Sequence, residues 1–170
     1  MKCVDVVVIG GGPSGLSAAW SAASQGSDVI LFEEHEEIGR PRHCAGLVSG
    51  EGLKFIGMPC KSEYVENMVD KAIIAVDGFC FELRKIGEPI YVLNREFFDK
   101  AMADRAMNRG ANILLKSQVK KVEMRNGKYI VKTEGASYSC KIVIDGEGAI
   151  SRLASTMGLE GPMLRIPALQ

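Results

Sequence analysis

The run Gly10-Gly11-Gly12-Pro13-Ser14-Gly15 constrains this chain more than any other feature. It satisfies G-x-G-x-x-G, a weak signal on its own. Before it stands Val4 to Ile9, a β-branched stretch of the kind that forms a parallel strand buried on both faces. After it, Leu16 to Gln25 is alanine-rich and reads as a helix, stopped by Gly26 at a C′ position. A second apolar strand, Asp28 to Phe32, ends at Glu33, roughly 20 residues beyond Gly10. Strand, glycine turn, helix, strand and terminal carboxylate together make the dinucleotide fingerprint.

Each residue of that unit has a physical task. Gly10 allows the tight turn, Gly12 lets the backbone approach a pyrophosphate, and Gly15 lets the helix pack closely on the sheet. Ala18, Ala19, Ala22 and Ala23 extend the small face. Pro13 suits an early helical position, where its missing N–H is not needed. The amides around Ser14 and the positive end of the helix dipole face the phosphates. Glu33 accepts hydrogen bonds from ribose hydroxyls, and a carboxylate there argues against the 2′-phosphate of NADP. Glu34 is its rival; strand alternation and spacing favour Glu33. The plainer reading is a glycine-rich turn that binds nothing.

Beyond the fingerprint the pattern of a simple doubly wound fold breaks. Residues 34–62 show no obvious regular structure, and loops of that length are usually functional or disordered. The mixture of apolar and small residues favours an ordered, ligand-facing loop. Strands are predicted at Lys71 to Val76, Phe79 to Leu83 and Ile90 to Leu93, with Asp77-Gly78 as a hairpin signal. Glu96 to Asn108 reads as an amphipathic helix in which Phe97 and Phe98 are core. Strands follow at Asn112 to Leu115, Val119 to Met124, Tyr129 to Thr133 and Lys141 to Asp145, the middle pair joined by Asn126-Gly127. A short helix, Ile150 to Met157, comes last, ended by Gly158.

Composition narrows the class. The chain has 170 residues, 46% apolar and 25% charged, which is ordinary for a globular domain and excludes a disordered or collagen-like chain. Its 21 basic and 21 acidic residues balance, so nothing suggests a nucleic-acid partner. Cys3, Cys44, Cys60, Cys80 and Cys140 lack C-x-x-C spacing, and with only His35 and His43 available no metal site is expected. Reduced thiols and the absence of a long apolar run point to the cytoplasm.

Four segments together resemble the geranylgeranyl reductase family of FAD-dependent oxidoreductases, within the group built like aromatic hydroxylases. The first is Asp5 to Glu33. The second, and most specific, is Pro41-Arg42-His43-Cys44-Ala45-Gly46-Leu47-Val48-Ser49, similar to the family's cysteine-bearing loop. The third is Leu93-Asn94-Arg95-Glu96-Phe97-Phe98-Asp99, similar to D-R-x-x-F-D at a helix start. The fourth is Val143-Ile144-Asp145-Gly146-Glu147-Gly148-Ala149-Ile150-Ser151-Arg152, similar to A-D-G-x-x-S-x-x-R. Asn94 and Glu147 depart from the family's aspartates, and no later G-D motif appears before Gln170.

The resemblance implies an α/β fold: a Rossmann-like βαβ sheet of the glutathione-reductase type, at 1–65 and 94–170, with an antiparallel β insert at 66–93 that begins a substrate domain. It implies FAD held by Gly10, Gly12, Pro13, Ser14, Gly15, Glu33, Cys44, Ala45, Leu47, Arg95, Val119, Glu147 and Gly148. Cys44, Ala45 and Leu47 approach the flavin through backbone groups, Arg95 reaches the phosphates, and Val119 sits beside the adenine. A cation at a helix N-terminus opposes the dipole, which favours a bound anion beside Arg95. Each assignment has a plainer rival: a solvent-facing arginine, an ordinary strand valine, and a Cys44 that is a small buried hydrophobe rather than a redox thiol. Cys44 is the one weak catalytic candidate.

The implied activity is reduction of C=C bonds in isoprenoid lipid chains by hydride from reduced flavin, with a nicotinamide or a ferredoxin-like iron–sulfur protein as electron donor. A lipid substrate implies contact with the membrane surface. The alternatives are another FAD-dependent monooxygenase or quinone-linked dehydrogenase, and a truncated nucleotide-binding module without activity of its own. The missing G-D motif makes the chain read as the N-terminal part of a larger flavoenzyme.

Overall fold

The computed structural model describes residues 1–42, 44–84, 87–149 and 151–159. In chain order the elements are β1 (Lys2–Cys3), β2 (Val6–Ile9), α1 (Pro13–Ser24), β3 (Val29–Phe32), β4 (Leu47–Ser49), α2 (Gly50–Phe55), β5 (Val65–Val69), β6 (Lys71–Val76), β7 (Phe79–Arg84), β8 (Ile90–Leu93), α3 (Arg95–Met107), β9 (Asn112–Leu114), β10 (Lys121–Arg125), β11 (Lys128–Lys132), β12 (Ser137–Cys140), β13 (Ile142–Asp145) and α4 (Leu153–Thr156). The chain divides into two compact units, one made of Met1–Arg40 with the chain from Asp99 onward, the other of Pro41–Phe98.

The first unit is built on a four-stranded parallel sheet in the order β13-β2-β3-β9. Every residue of β2 and β3 is buried, as both faces of a parallel sheet require. Val7, Val8, Val29, Ile30 and Leu31 are fully buried, each contributing about 1.5–3 kcal/mol of hydrophobic free energy. Helix α1 closes the β2–α1–β3 crossover and packs against β2, β3 and β13. A second sheet, in the order β1-β12-β11-β10, pairs β1 with β12 in parallel and runs antiparallel elsewhere. The two sheets share a core in which the rings of Phe32 and Tyr138 meet edge to face at 4.9 Å. The β10–β11 hairpin turns on Asn126 and Gly127, both at positive φ, which is the type I′ geometry their sequence signals.

The second unit is antiparallel: β4-β8-β5 form one sheet, and β6 and β7 form a separate two-stranded hairpin. The hairpin turns on Asp77 and Gly78, again both at positive φ. Its register puts Ala72, Ile74, Val76, Phe79, Phe81 and Leu83 on one wholly apolar face, with Lys71, Glu82 and Arg84 on the other.

Several expectations are corrected in detail. Residues 34–62 are not free of regular structure: Leu47–Ser49 pairs with β8, and Gly50–Phe55 is a helix capped by Ser49, whose Oγ accepts from the Gly52 amide at 3.0 Å. Both elements are too short to carry a periodicity. Strands β5 and β12 were unsignalled because Glu66, Asn67 and three hydroxyl-bearing residues dilute their apolar content. The last helix is confined to Leu153–Thr156, and the predicted start at Ile150 lies outside the described residues. Phe98 is core but Phe97 is 52% exposed, since adjacent helical residues point to different sides. No helix among the described residues is long and apolar enough to cross a membrane.

Three glycines fix how the first unit closes. A Cβ built on Gly15 would lie 1.9 Å from the Gly10 carbonyl oxygen, and one on Gly10 would lie 2.4 Å from the Gly146 carbonyl oxygen. Gly12, by contrast, faces open space. Alanine is better than glycine in a helix interior by about 1 kcal/mol, so propensity and clash oppose each other at Gly15, and the backbone clash should win. Thermal denaturation of Gly15→Ala is expected to show a clearly lowered Tm and that of Gly12→Ala a Tm close to wild type; an unchanged Tm for Gly15→Ala would refute the close approach.

Candidate functional site

The C-terminal ends of β2, β3 and β13 meet the start of α1, and ligands of open α/β sheets bind at such strand ends. Gly10 leaves β2 at φ +97°, and its amide donates to the Phe32 carbonyl at 2.8 Å. The Gly146 amide donates to the Ile9 carbonyl at 2.7 Å, which binds the turn after β13 to the turn after β2. Gly12 is the N-cap of α1, with Pro13 following, no side-chain cap and no acidic residue in the first turn. The first intrahelical bond runs from the Leu16 amide to the Gly12 carbonyl at 2.9 Å. The first turn of the helix therefore carries no acidic side chain of its own, and it starts at a glycine with open space where a side chain would stand. Ser14 is exposed there and Gly15 is buried.

Glu33 lies one residue past β3 and is 8% exposed. Its Oε2 accepts from the Gly11 amide at 2.6 Å. Its Oε1 accepts from the His35 amide at 2.9 Å and from His35 Nδ1 at 2.5 Å. An ionised carboxylate offers about four acceptor positions, so Glu33 keeps one open, on Oε2. Glu34 is exposed and takes Gln118 Nε2 at 2.7 Å. The two acids thus differ in kind: one is buried against the glycine turn, the other is a surface residue.

Glu147 turns inward on its own segment. Its Oε2 accepts from the amides of Arg152 and Leu153 at 3.1 and 3.0 Å and lies 3.1 Å from Ser151 Oγ. That is a carboxylate cap on the start of α4. Asp145, at the end of β13, receives the Glu147 amide at 3.0 Å and Ser151 Oγ at 2.5 Å. Gly148, exposed at φ +85°, completes the turn. Val119 is buried, its side chain part of the core cluster with Val122 and Val131.

The remaining sequence-predicted residues belong to the second unit. Cys44, Ala45 and Leu47 are exposed, and Cys44 Sγ accepts from the Gly46 amide at 3.5 Å. Gly46 is fixed by backbone contact: a Cβ there would lie 2.1 Å from the Leu93 carbonyl oxygen. Arg95 opens α3 and is half-buried. Asn94 caps that helix, its Oδ1 accepting from the Phe97 amide at 3.4 Å, and its Nδ2 donates to Glu66 at 2.8 Å. Asparagine caps as well as aspartate does, which accounts for this departure from the family pattern. His43, within the cysteine-bearing loop, lies outside the described residues.

Three groups here carry no role that the sequence signals: His35, Asp145 with Ser151, and Glu96. Glu96 is 5% exposed and receives Arg42 Nη2 at 3.2 Å. An acid at a helix start reads as a dipole partner, so nothing in sequence marks it as buried. The five cysteines are free, and burial pushes the Cys140 thiol above its ordinary pKa. Among the described residues no cluster could hold a metal ion.

The family described as FAD dependent oxidoreductase matches residues 5–160. The chain is 37% identical over 161 residues to digeranylgeranylglycerophospholipid reductase 2 of Methanopyrus kandleri, covering 91% of this chain and 40% of that protein. It is 36% identical over 165 residues to digeranylgeranylglycerophospholipid reductase 1 of Methanothermobacter thermautotrophicus, covering 92% and 42%. A solved geranylgeranyl bacteriochlorophyll reductase-like protein of Thermoplasma acidophilum superposes with a TM-score of 0.85 at 32% identity, over 94% of this chain and 43% of that one. The chain thus spans about two fifths of the length of the curated relatives it matches.

The cap on α4 yields a direct test. Glu147→Ala should cost about 1 kcal/mol of stability in a denaturant melt, and Glu147→Gln, whose amide oxygen still accepts, should cost less. Equal stability of all three proteins would remove the capping role.

Proposed function

The chain belongs to the FAD dependent oxidoreductase family, and from that premise we propose that its first unit holds the ADP half of FAD for a reductase of C=C bonds in isoprenoid lipid chains. The observation that carries the cofactor part is the uncapped start of α1 beside the open flank of Gly12, with the buried Glu33 carboxylate one strand away. The pyrophosphate is an anion, and it fits where amides and a helix dipole are offered with no side chain in the way. A ribose hydroxyl is a donor, and it fits the one acceptor left open on Glu33 Oε2. Val119, its side chain committed to the core, contributes only backbone groups beside the adenine.

Glu147 and Gly148 shape the turn facing the phosphates: the carboxylate, turned toward its own amides, holds the turn and leaves anion contacts to backbone N–H groups. For Cys44, Ala45, Leu47 and Arg95 the reading is that of the family resemblance, with loop backbone groups toward the flavin and a guanidinium toward a phosphate. Reduced FAD, when bound, would supply hydride to one alkene carbon while a proton donor completes the saturation at the other, and the hydride chemistry is the cofactor's own. The lipid substrate rests on similarity to relatives named for digeranylgeranylglycerophospholipid reduction. The electron donor in this reading is a nicotinamide or a ferredoxin-like protein, and the lipid brings the protein to a membrane surface.

One observation favours a second reading. The chain spans about two fifths of its relatives' length, and in the second reading these residues bind the cofactor without carrying out the reaction by themselves. The two readings separate in one assay. The purified chain is given FAD, dithionite and a geranylgeranyl glycerophospholipid, and lipid products are weighed by mass spectrometry. Addition of dihydrogen per double bond supports the reductase; FAD binding without any mass change supports the module; absence of FAD binding contradicts both. Glu33→Ala should weaken ADP binding by about tenfold or more, the loss expected when a hydrogen bond to a charged group is removed; unchanged affinity by calorimetry would remove the ribose assignment.

A further inference from the structure

The geometry points to His35 as a positioning residue that fixes the Glu33 carboxylate for the adenosine ribose. This rests on the reading of Glu33 as the ribose acceptor. A glutamate side chain has three rotatable bonds, and a carboxylate that offers one open acceptor to a ribose hydroxyl must be held in one orientation to do so. Here both oxygens are held, by different elements. Oε2 is taken from the glycine turn by the Gly11 amide at 2.6 Å. Oε1 is gripped twice by one residue, through the His35 amide at 2.9 Å and through Nδ1 at 2.5 Å. With the carboxylate as acceptor, Nδ1 is the donor of this contact.

His35 is itself anchored. Its carbonyl accepts from the Lys116 amide at 3.0 Å, and the Glu33 backbone is bound on both sides, its amide to Leu114 at 2.9 Å and its carbonyl from Ser117 at 2.8 Å. The turn after β3 is thus stitched to the segment after β9, and the imidazole sits on a rigid base. The ring is about half exposed while the Glu33 side chain is 11% exposed. A structural anchor for the core would be buried; a half-exposed ring spending its nitrogen on a buried carboxylate suits the orientation of that carboxylate. Without the imidazole, Oε1 keeps a single backbone donor and the carboxylate gains freedom that binding must then remove.

The test uses the whole chain and titrates ADP, 2′-deoxyADP and 3′-deoxyADP by calorimetry into wild type, His35→Ala and His35→Asn. Wild type should prefer ADP over at least one deoxy analogue. His35→Ala should bind ADP about tenfold more weakly, a loss of about 1.4 kcal/mol, and lose most of that preference. His35→Asn, which keeps a side-chain donor, should recover part of both. If wild type does not discriminate, the Glu33 reading falls and this inference with it. If wild type discriminates and His35→Ala does so equally, the ribose reading stands and the His35 role is overturned. An equal loss for all three nucleotides, or tighter ADP binding by His35→Ala, also overturns it.

Discussion

The structure of the first unit depends on the meeting of three backbones at Gly10, Gly15 and Gly146. The carbonyl of Gly10 lies where a side chain on residue 15 would be, and the carbonyl of Gly146 where one on residue 10 would be. Only residues without a Cβ let β2, α1 and β13 converge so closely. The convergence is sealed by the 2.7 Å hydrogen bond from Gly146 to Ile9. From it follows the position of the α1 N-terminus at the strand ends.

Around that point charge is arranged with economy. No acidic residue belongs to the first turn of α1, and the nearby acids are engaged by protein donors: Glu33 by Gly11 and His35, Glu147 at the start of α4, Asp145 by Ser151. An acid left free beside the helix start would compete with a bound phosphate for the same dipole and amides. These acids are thus held by protein donors, and in the proposed reading recognition of the cofactor falls to the backbone and to one carboxylate oxygen.

The βαβ start was legible because its signals were redundant. Val6–Ile9, the glycine turn, Ala18 to Ala23 and Glu33 each point to the same unit, and both hairpins announced themselves through Asp77-Gly78 and Asn126-Gly127. The glycine roles were legible too, since Gly12 and Gly15 differ in spacing from the strand and so in what they face. What could not be read was short or non-local. Strand β4 has three residues, helix α2 has six, and β12 is polar in composition; each exists because a partner strand or a cap holds it. His35 beside Glu33 and Arg42 beside Glu96 were illegible for a related reason. One depends on a side chain turning back two residues, the other on a contact 54 residues apart.

Asn94 in place of aspartate keeps the cap on α3, and Glu147 in place of aspartate reaches amides at the start of α4. The central claim is that the glycine turn, the start of α1 and Glu33 form a cradle for the ADP half of FAD. Titrating FAD into the purified chain, following quenching of flavin fluorescence, and then adding ADP tests it most directly. The account predicts saturable binding of one flavin per chain, displaced by ADP; flavin that does not bind, or that ADP fails to displace, would contradict it.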